Sequence, residues 1–237
     1  MAFPTIAAGT DGLQTGVLST AGTSHVITMP TNIVAGNLLI ILFVDSLGTG
    51  STNSFSGSFT ALTKINNGTG VGAQVAYKIA AGSDTCTVTT TGSTKSAHCV
   101  YQIANWHGTT APEQSVTTGG ASAANPLTLS PSWGSADTLW LEGSGVGSTA
   151  GPTAASTNYT NFTTVNSTGG AGGTNAHVSS ARRELAAASD DPDAMTSIGT
   201  TWTAHLVAIR PSAVAAEEKK PSSYLSIRQA INRASTF

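Results

Sequence analysis

The sequence predicts an all-β protein of two similar antiparallel β-sandwich halves, jelly-roll-like, followed by a short C-terminal helix. Three observations predict it. Short segments rich in Val, Thr and aromatics alternate with Gly/Ser/Asn turns, the pattern of antiparallel strands. Only 9% of the 237 residues are charged, and Thr, Ser, Gly and Ala fill the gap; Thr and Val suit a pleated, half-buried surface. Six segments also return in the same order after about one hundred residues, the signature of a repeated unit.

Residues 1–24 read as an extended N-terminal arm or an edge strand, since they are Gly/Thr/Ala-rich with few apolar anchors. The first half spans 25–110. Ser24–Met29 is a short strand stopped by Pro30. Asn32–Val44 is the longest apolar run, and its strand at 38–44 is the expected centre of the core. Asp45–Ser54 is an exposed loop. Phe59–Ile65 and Val71–Ile79 flank Asn66-Asn-Gly-Thr-Gly70, a hairpin signal because Asn-Gly accepts positive φ. Val71, Ala73, Val75, Tyr77 and Ile79 share one face. Thr85–Thr91 and Ala97–Ile103 complete the set as two adjacent strands, carrying Cys86 and Cys99. These read as two buried thiols, although they can face each other, and spacing alone pairs no cysteines.

The second half spans 111–211 and opens on a polar connector, Glu113–Ala124. Leu127–Ser132 then answers Val26–Thr31, Thr138–Leu141 answers Leu38–Ile41, and Tyr159–Val165 answers Phe59–Ile65. Ala176–Leu185 answers Gly72–Ile79, and Ala204–Ile209 answers Ala97–Ile103 with one residue of register left open. Residues 212–237 form a linker and a docking helix. Ser222 or Ser223 supplies the N-cap, and Tyr224, Ile227 and Ile231 fall on one apolar stripe with Ala234. An isolated helix of this length is marginal and needs a surface, so Tyr224, Ile227 and Ile231 are the expected partner-docking residues.

The charges exclude more than they indicate. Residues 1–211 hold six Lys/Arg against ten Asp/Glu, and 212–237 hold four against two. The body has no basic stripe, so nucleic-acid binding has no electrostatic footing. The apolar run is shorter than the roughly 20 residues a bilayer requires, and no secretory signal pattern opens the chain. No membrane association is expected, and synthesis in a cytoplasm is.

Candidate chemistry is thin. His98 and His205 each follow an Ala in the last strand of their halves and read as equivalent, outward-pointing side chains. His25, His107 and His177 lack metal-ligand spacing. Asp190-Asp-Pro-Asp193 lacks the Gly and distal Glu of a calcium loop and reads as a solvated turn. Gly169–Gly173 has no following Lys-Ser/Thr. Glu113, Glu142 and Glu184 carry no glycosidase signature, and Asn67, Asn158, Asn161 and Asn166 begin chance sequons. Trp140 and Trp202 belong to the core, and Trp106 and Trp133 to the interface between halves. The expectation is therefore no enzyme, no catalytic residue, no metal and no cofactor.

Ile33-Val-Ala-Gly-Asn-Leu-Leu-Ile40, Ala76-Tyr-Lys-Ile-Ala80, Ser130-Pro-Ser-Trp-Gly-Ser-Ala-Asp-Thr-Leu-Trp140 and Ala208-Ile-Arg-Pro211 resemble a group of β-sandwich proteins from tailed-bacteriophage genomes. The resemblance covers about residues 25–211 and carries no catalytic signature. It implies a virion structural protein: a capsid decoration, head-fibre or tail-associated subunit. Its partners would be other virion subunits and further copies of itself. A glycan-binding adhesin module is the alternative, contacting a host-surface glycan through loops 45–57 and 145–158, with Phe55 and Tyr159 nearby.

Overall fold

The computed structural model describes residues 2–120, 122–169, 174–196 and 200–213. Thirteen strands are found among them: β1 (Thr5–Ile6), β2 (Leu13–Val26), β3 (Leu38–Asp45), β4 (Asn53–Phe55), β5 (Thr60–Ala61), β6 (Ile65–Asn67), β7 (Val71–Ile79), β8 (Thr87–Ala104), β9 (Glu113–Gly119), β10 (Ala136–Val146), β11 (Thr160–Asn166), β12 (His177–Ala187) and β13 (Trp202–Ile209). The chain is all-β, with two antiparallel sheets, one from each half. The first runs β1-β8-β3-β7-β5, with β2 and β4 also on β8 and β6 on β7. The second runs β11-β12-β10-β13-β9. Read from opposite ends, the two orders match. The expected C-terminal helix, with Tyr224, Ile227 and Ile231, lies outside the described residues.

The long apolar run becomes β3, hydrogen-bonded between β7 and β8 and buried along its whole length. Its side chains alternate, as the pleat requires. Leu38, Ile40, Leu42 and Val44 join a core shared with Leu139, Leu141, Val178, Val207 and Ile209 of the second sheet. Leu39, Ile41 and Phe43 face the other way, into a cluster with Ile27, Phe59, Cys86, Val88 and Val100. The two sheets thus meet face to face, and each has an outer face covered by its own half. In the first half the cover includes a small ladder, where the end of β2 and all of β4 pair with the start of β8. In the second half loops supply it: Leu129, Tyr159 and part of Trp133 close over Trp140, Leu206 and Ala208.

The inner faces fit by size. A Cβ on Gly143 would stand 2.6 Å from Leu42 Cδ2, and one on Gly145 would stand 2.9 Å from Val44 Cγ2. β10 is therefore small where β3 is bulky, which lets the sheets close to native packing density. Polar contacts seal the rim. Asn67 Nδ2 donates to the carbonyls of Gly119 (2.7 Å) and Trp202 (3.0 Å). Lys95 Nζ, on β8, donates to Gly169 O at 2.9 Å and Asn175 Oδ1 at 3.2 Å.

The pairing resolves the open register and corrects the alignment of the halves. Leu38 pairs with Ile79 and Ile103; Leu139 pairs with Glu184 and Ile209. Leu139, not Thr138, therefore occupies the place of Leu38. A slip of one residue reverses every side chain, so His98 and His205 are not equivalent. His98 shares its face with Val100 on the outer side, whereas His205 takes the inward place of Cys99. Two further expectations change. Residues 113–119, read as a connector, form edge strand β9 on β13. Thr87–Ala104 is one strand of 18 residues rather than two. Cys86 just precedes it in the outer cluster while Cys99 lies in the inner one, so the two thiols belong to different layers.

Gly147 tests the seam. A Cβ there would lie 2.2 Å from the backbone oxygen of Gly70, which cannot swing away, whereas the obstacle at Gly143 is a flexible leucine tip. Gly147→Ala is expected to cost about 2–3 kcal/mol and Gly143→Ala about 1 kcal/mol, read from urea midpoints. Equal, negligible losses would mean that the sheets do not meet this way.

Candidate functional site

Four of the histidines hold hydrogen bonds of their own. His98 Nε2 accepts from the Thr28 amide at 2.9 Å. His25 contacts the hydroxyls of Ser96 (2.8 Å) and Thr90 (3.0 Å). His107 lies 2.9 Å from Thr110 Oγ1. His177 bonds Thr164 Oγ1. Burial pushes His98 and His205 down to about 4, which holds both rings neutral near pH 7. Among the described residues no group of three or more His, Cys, Asp or Glu could hold a metal ion. Burial raises the thiols, to about 11 for Cys86 and about 12 for Cys99, away from nucleophilic character.

The tryptophans divide. Trp106 packs in the inter-sheet core, as expected, with Nε1 donating to Gly36 O at 2.9 Å. Trp140 and Trp202 are buried, also as expected. Trp133 is not at the interface; it lies against the outer cluster of the second sheet. With His107, Ala136, Arg210, Pro211 and Ala213 it lines a cleft of about 410 Å³, at the point where the described chain ends.

The Asp190 loop is not a solvated turn at its start. Asp190 is buried, ion-paired to Arg183 Nη1 at 2.8 Å, and accepts from Tyr159 Oη at 2.5 Å. It adjoins Glu142, whose side chain is sealed from solvent. Ser156 donates its amide to Glu142 Oε1 at 3.0 Å, and its hydroxyl lies 2.6 Å from Oε2. That same hydroxyl contacts the Asp193 carbonyl. One hydroxyl proton cannot serve two acceptors. The arrangement is satisfied when Glu142 is protonated and donates to Ser156, which donates to Asp193. Burial, with Asp190 adding to it against the Ser156 bonds, raises Glu142 to about 7.

The arrangement richest in recognition chemistry lies at a mouth between the sheets, and sequence reasoning missed it. Tyr101 on β8 and Arg182 on β12 come from the inward-facing sets of the two sheets. With Ile6, Ala8, Leu13 and Asn161 they line a cleft of about 460 Å³, mostly apolar in its walls. Asn161 holds a left-handed φ of 54° at a register break in β11. With its amide turned to suit its neighbours, Asn161 Oδ1 accepts from Arg182 Nε at 2.7 Å and from Arg182 Nη2. Tyr101 is 2% exposed, and its hydroxyl is buried without a hydrogen bond of normal geometry. Ser180 Oγ stands near that hydroxyl; it donates its own proton to Glu142 O at 2.7 Å and keeps its lone pairs for the phenol, in poor geometry. The available signal was Arg182-Arg183 in mid-strand in a chain with so few charges.

Fold and cleft together define a class: an all-β body of two stacked antiparallel sheets with a cation at their shared rim. No protein family, no curated protein and no solved structure matches the chain.

The Glu142 site yields a pH dependence. Its folded value, about 7, exceeds the ordinary 4.5, so the native state binds the extra proton. That contribution is complete below about 4.5 and lost as pH rises through about 7. Glu142→Gln copies the protonated form. It is expected to match wild type at pH 5 and to exceed it by about 2 kcal/mol at pH 8, by chemical denaturation at both values. A variant less stable than wild type at pH 8 would show that Glu142 is held ionised.

Proposed function

We propose that the protein is a structural subunit of a tailed-phage virion, a capsid decoration, head-fibre or tail-associated protein that acts by assembly. The observation that carries this reading is the use made of buried charge. Asp45 receives the amides of Leu47 and Gly48 and pairs with Lys64 at 2.8 Å. Asp84 receives those of Ala81 and Gly82 and pairs with Lys78. Asp190 holds Arg183 and Tyr159. Each carboxylate fixes a loop, as suits a scaffold. The halves arose by duplication, in keeping with their shared strand order. The described chain stops at Ala213, on the Trp133–Pro211 cleft, and the segment that follows it in sequence serves for docking through Tyr224, Ile227 and Ile231.

The adhesin reading has less support. Phe55 packs edge-on against Phe43, centroids 6.1 Å apart, and Tyr159 is buried, so neither aromatic is free at a loop tip.

The test compares the full chain with residues 1–213, because Ser212 still bonds Asn105 at 2.9 Å. Light scattering on a sizing column is expected to give a defined oligomer for the full chain and a monomer for the truncation, and the truncation is expected to lose particle attachment. Undiminished attachment by residues 1–213 would refute the docking role of the segment.

A further inference from the structure

We infer that the Arg182 cleft is a binding site for a small organic carboxylate with an apolar, ring-sized body. The inference stands on the cleft and is independent of the assembly reading.

Arginine recognises carboxylates through the planar fork of its guanidinium. Here Asn161 fixes the fork by occupying Nε and one position on Nη2. No carboxylate lies within ion-pair distance of Arg182 among the described residues, in contrast to the neighbouring Arg183, which Asp190 neutralises. A cation held in place at the rim of an apolar cleft, with donors left over, is arranged for an anion that arrives from outside.

Tyr101 supplies the second, independent observation. A buried phenol normally finds a well-formed partner, and this one makes no hydrogen bond of good geometry, with the Ser180 hydroxyl near it. It comes from the sheet opposite Arg182 yet lines the same cleft. One ligand carboxylate can receive N–H from Arg182 and O–H from Tyr101, which satisfies both.

The walls decide the rest of the ligand. Ile6, Ala8 and Leu13 offer hydrocarbon rather than hydrogen bonds, and the volume of about 460 Å³ falls within the range of small-molecule pockets. Arg182 and Asn161 also border a second cleft, but that one is polar, its Arg183 is already neutralised by Asp190, and its Glu184 carboxylate repels an anion. The anion is therefore directed to the apolar side.

Calorimetric titration of the full chain with benzoate, glucuronate and benzyl alcohol tests this. Benzoate is expected to saturate with a Kd on the order of 1 mM, as suits so few atoms, with glucuronate weaker and benzyl alcohol silent. Arg182→Gln is expected to weaken benzoate at least tenfold and Tyr101→Phe several-fold. Ala8 is exposed with an ordinary extended backbone, φ −75° and ψ 153°. Ala8→Trp is thus expected to fill the cleft and abolish binding while the melting temperature stays unchanged, which keeps the test decisive if Arg182→Gln fails to fold. Tighter binding of glucuronate than benzoate, no saturation by either carboxylate, or benzoate binding that survives Ala8→Trp would each overturn the assignment.

Discussion

The structure depends on the contact between β3 and β10. Leu42 and Val44 fill the space over Gly143 and Gly145, and that fit brings two sheets into one shared core. Burying an aliphatic side chain contributes roughly 2 kcal/mol. The four inward residues of β3 alone therefore contribute an amount comparable to the net stability of an ordinary domain, about 5–15 kcal/mol. Asn67, Lys95 and Trp106 act after this contact, closing the rim of a stack whose spacing the glycines have set. An isolated half would expose the inner face of β3 to water, so each half is the other's solvent shield.

The outer faces carry no such mutual constraint, and there the halves diverge. In the pairing frame Glu142 stands where Ile41 stands, since Leu139 replaces Leu38. Ile41 joins an apolar cluster under a strand ladder. Glu142 anchors a polar loop instead, through Ser156 and beside Asp190. A buried carboxylate left unpaired is costly, and this one is accommodated by protonation and a relay of hydroxyl and carbonyl groups. The loops covering the second sheet are held by such bonds in place of backbone ladders. This accounts for the buried Glu142 and Asp190 of the second half.

The sequence announced what alternation and turns control. The continuous apolar run marked β3, Val71–Ile79 emerged as β7 with Val71, Ala73, Val75 and Tyr77 of the shared face on the core and Ile79 exposed, and Asn66–Gly70 became its hairpin. It concealed what pairing controls. Thr138-Leu-Trp-Leu141 is apolar on both faces, so period alone gives it no direction, and only the ladder to β12 and β13 shows that Leu139 and Leu141 point inward. The glycines at 143 and 145 were the clue to that face. β9 was missed because Glu113–Gly119 carries a single aliphatic side chain, Val116, and edge strands tolerate such polarity. Asp190 was misjudged because its partners Arg183 and Tyr159 approach from neighbouring segments, a proximity that composition does not encode.

The Arg182 cleft was illegible for the same reason, and its origin follows from the shared frame. Arg182 occupies on β12 the place that Tyr77 occupies on β7, since Ile40 pairs with Tyr77 and Leu141 with Arg182. Tyr77 packs on the common core. Arg182 cannot be buried there without a counter-charge, so the sheets do not close at this end, and Ile6, Ala8 and Leu13 wall a gap rather than fill it. Asn161, at its left-handed φ, then fixes the cation, and Tyr101 is left with a buried hydroxyl that makes no hydrogen bond of good geometry. A site of this kind needs no dedicated motif. It arises where two similar sheets, matched along most of their inner faces, place unlike residues at equivalent positions on the rim.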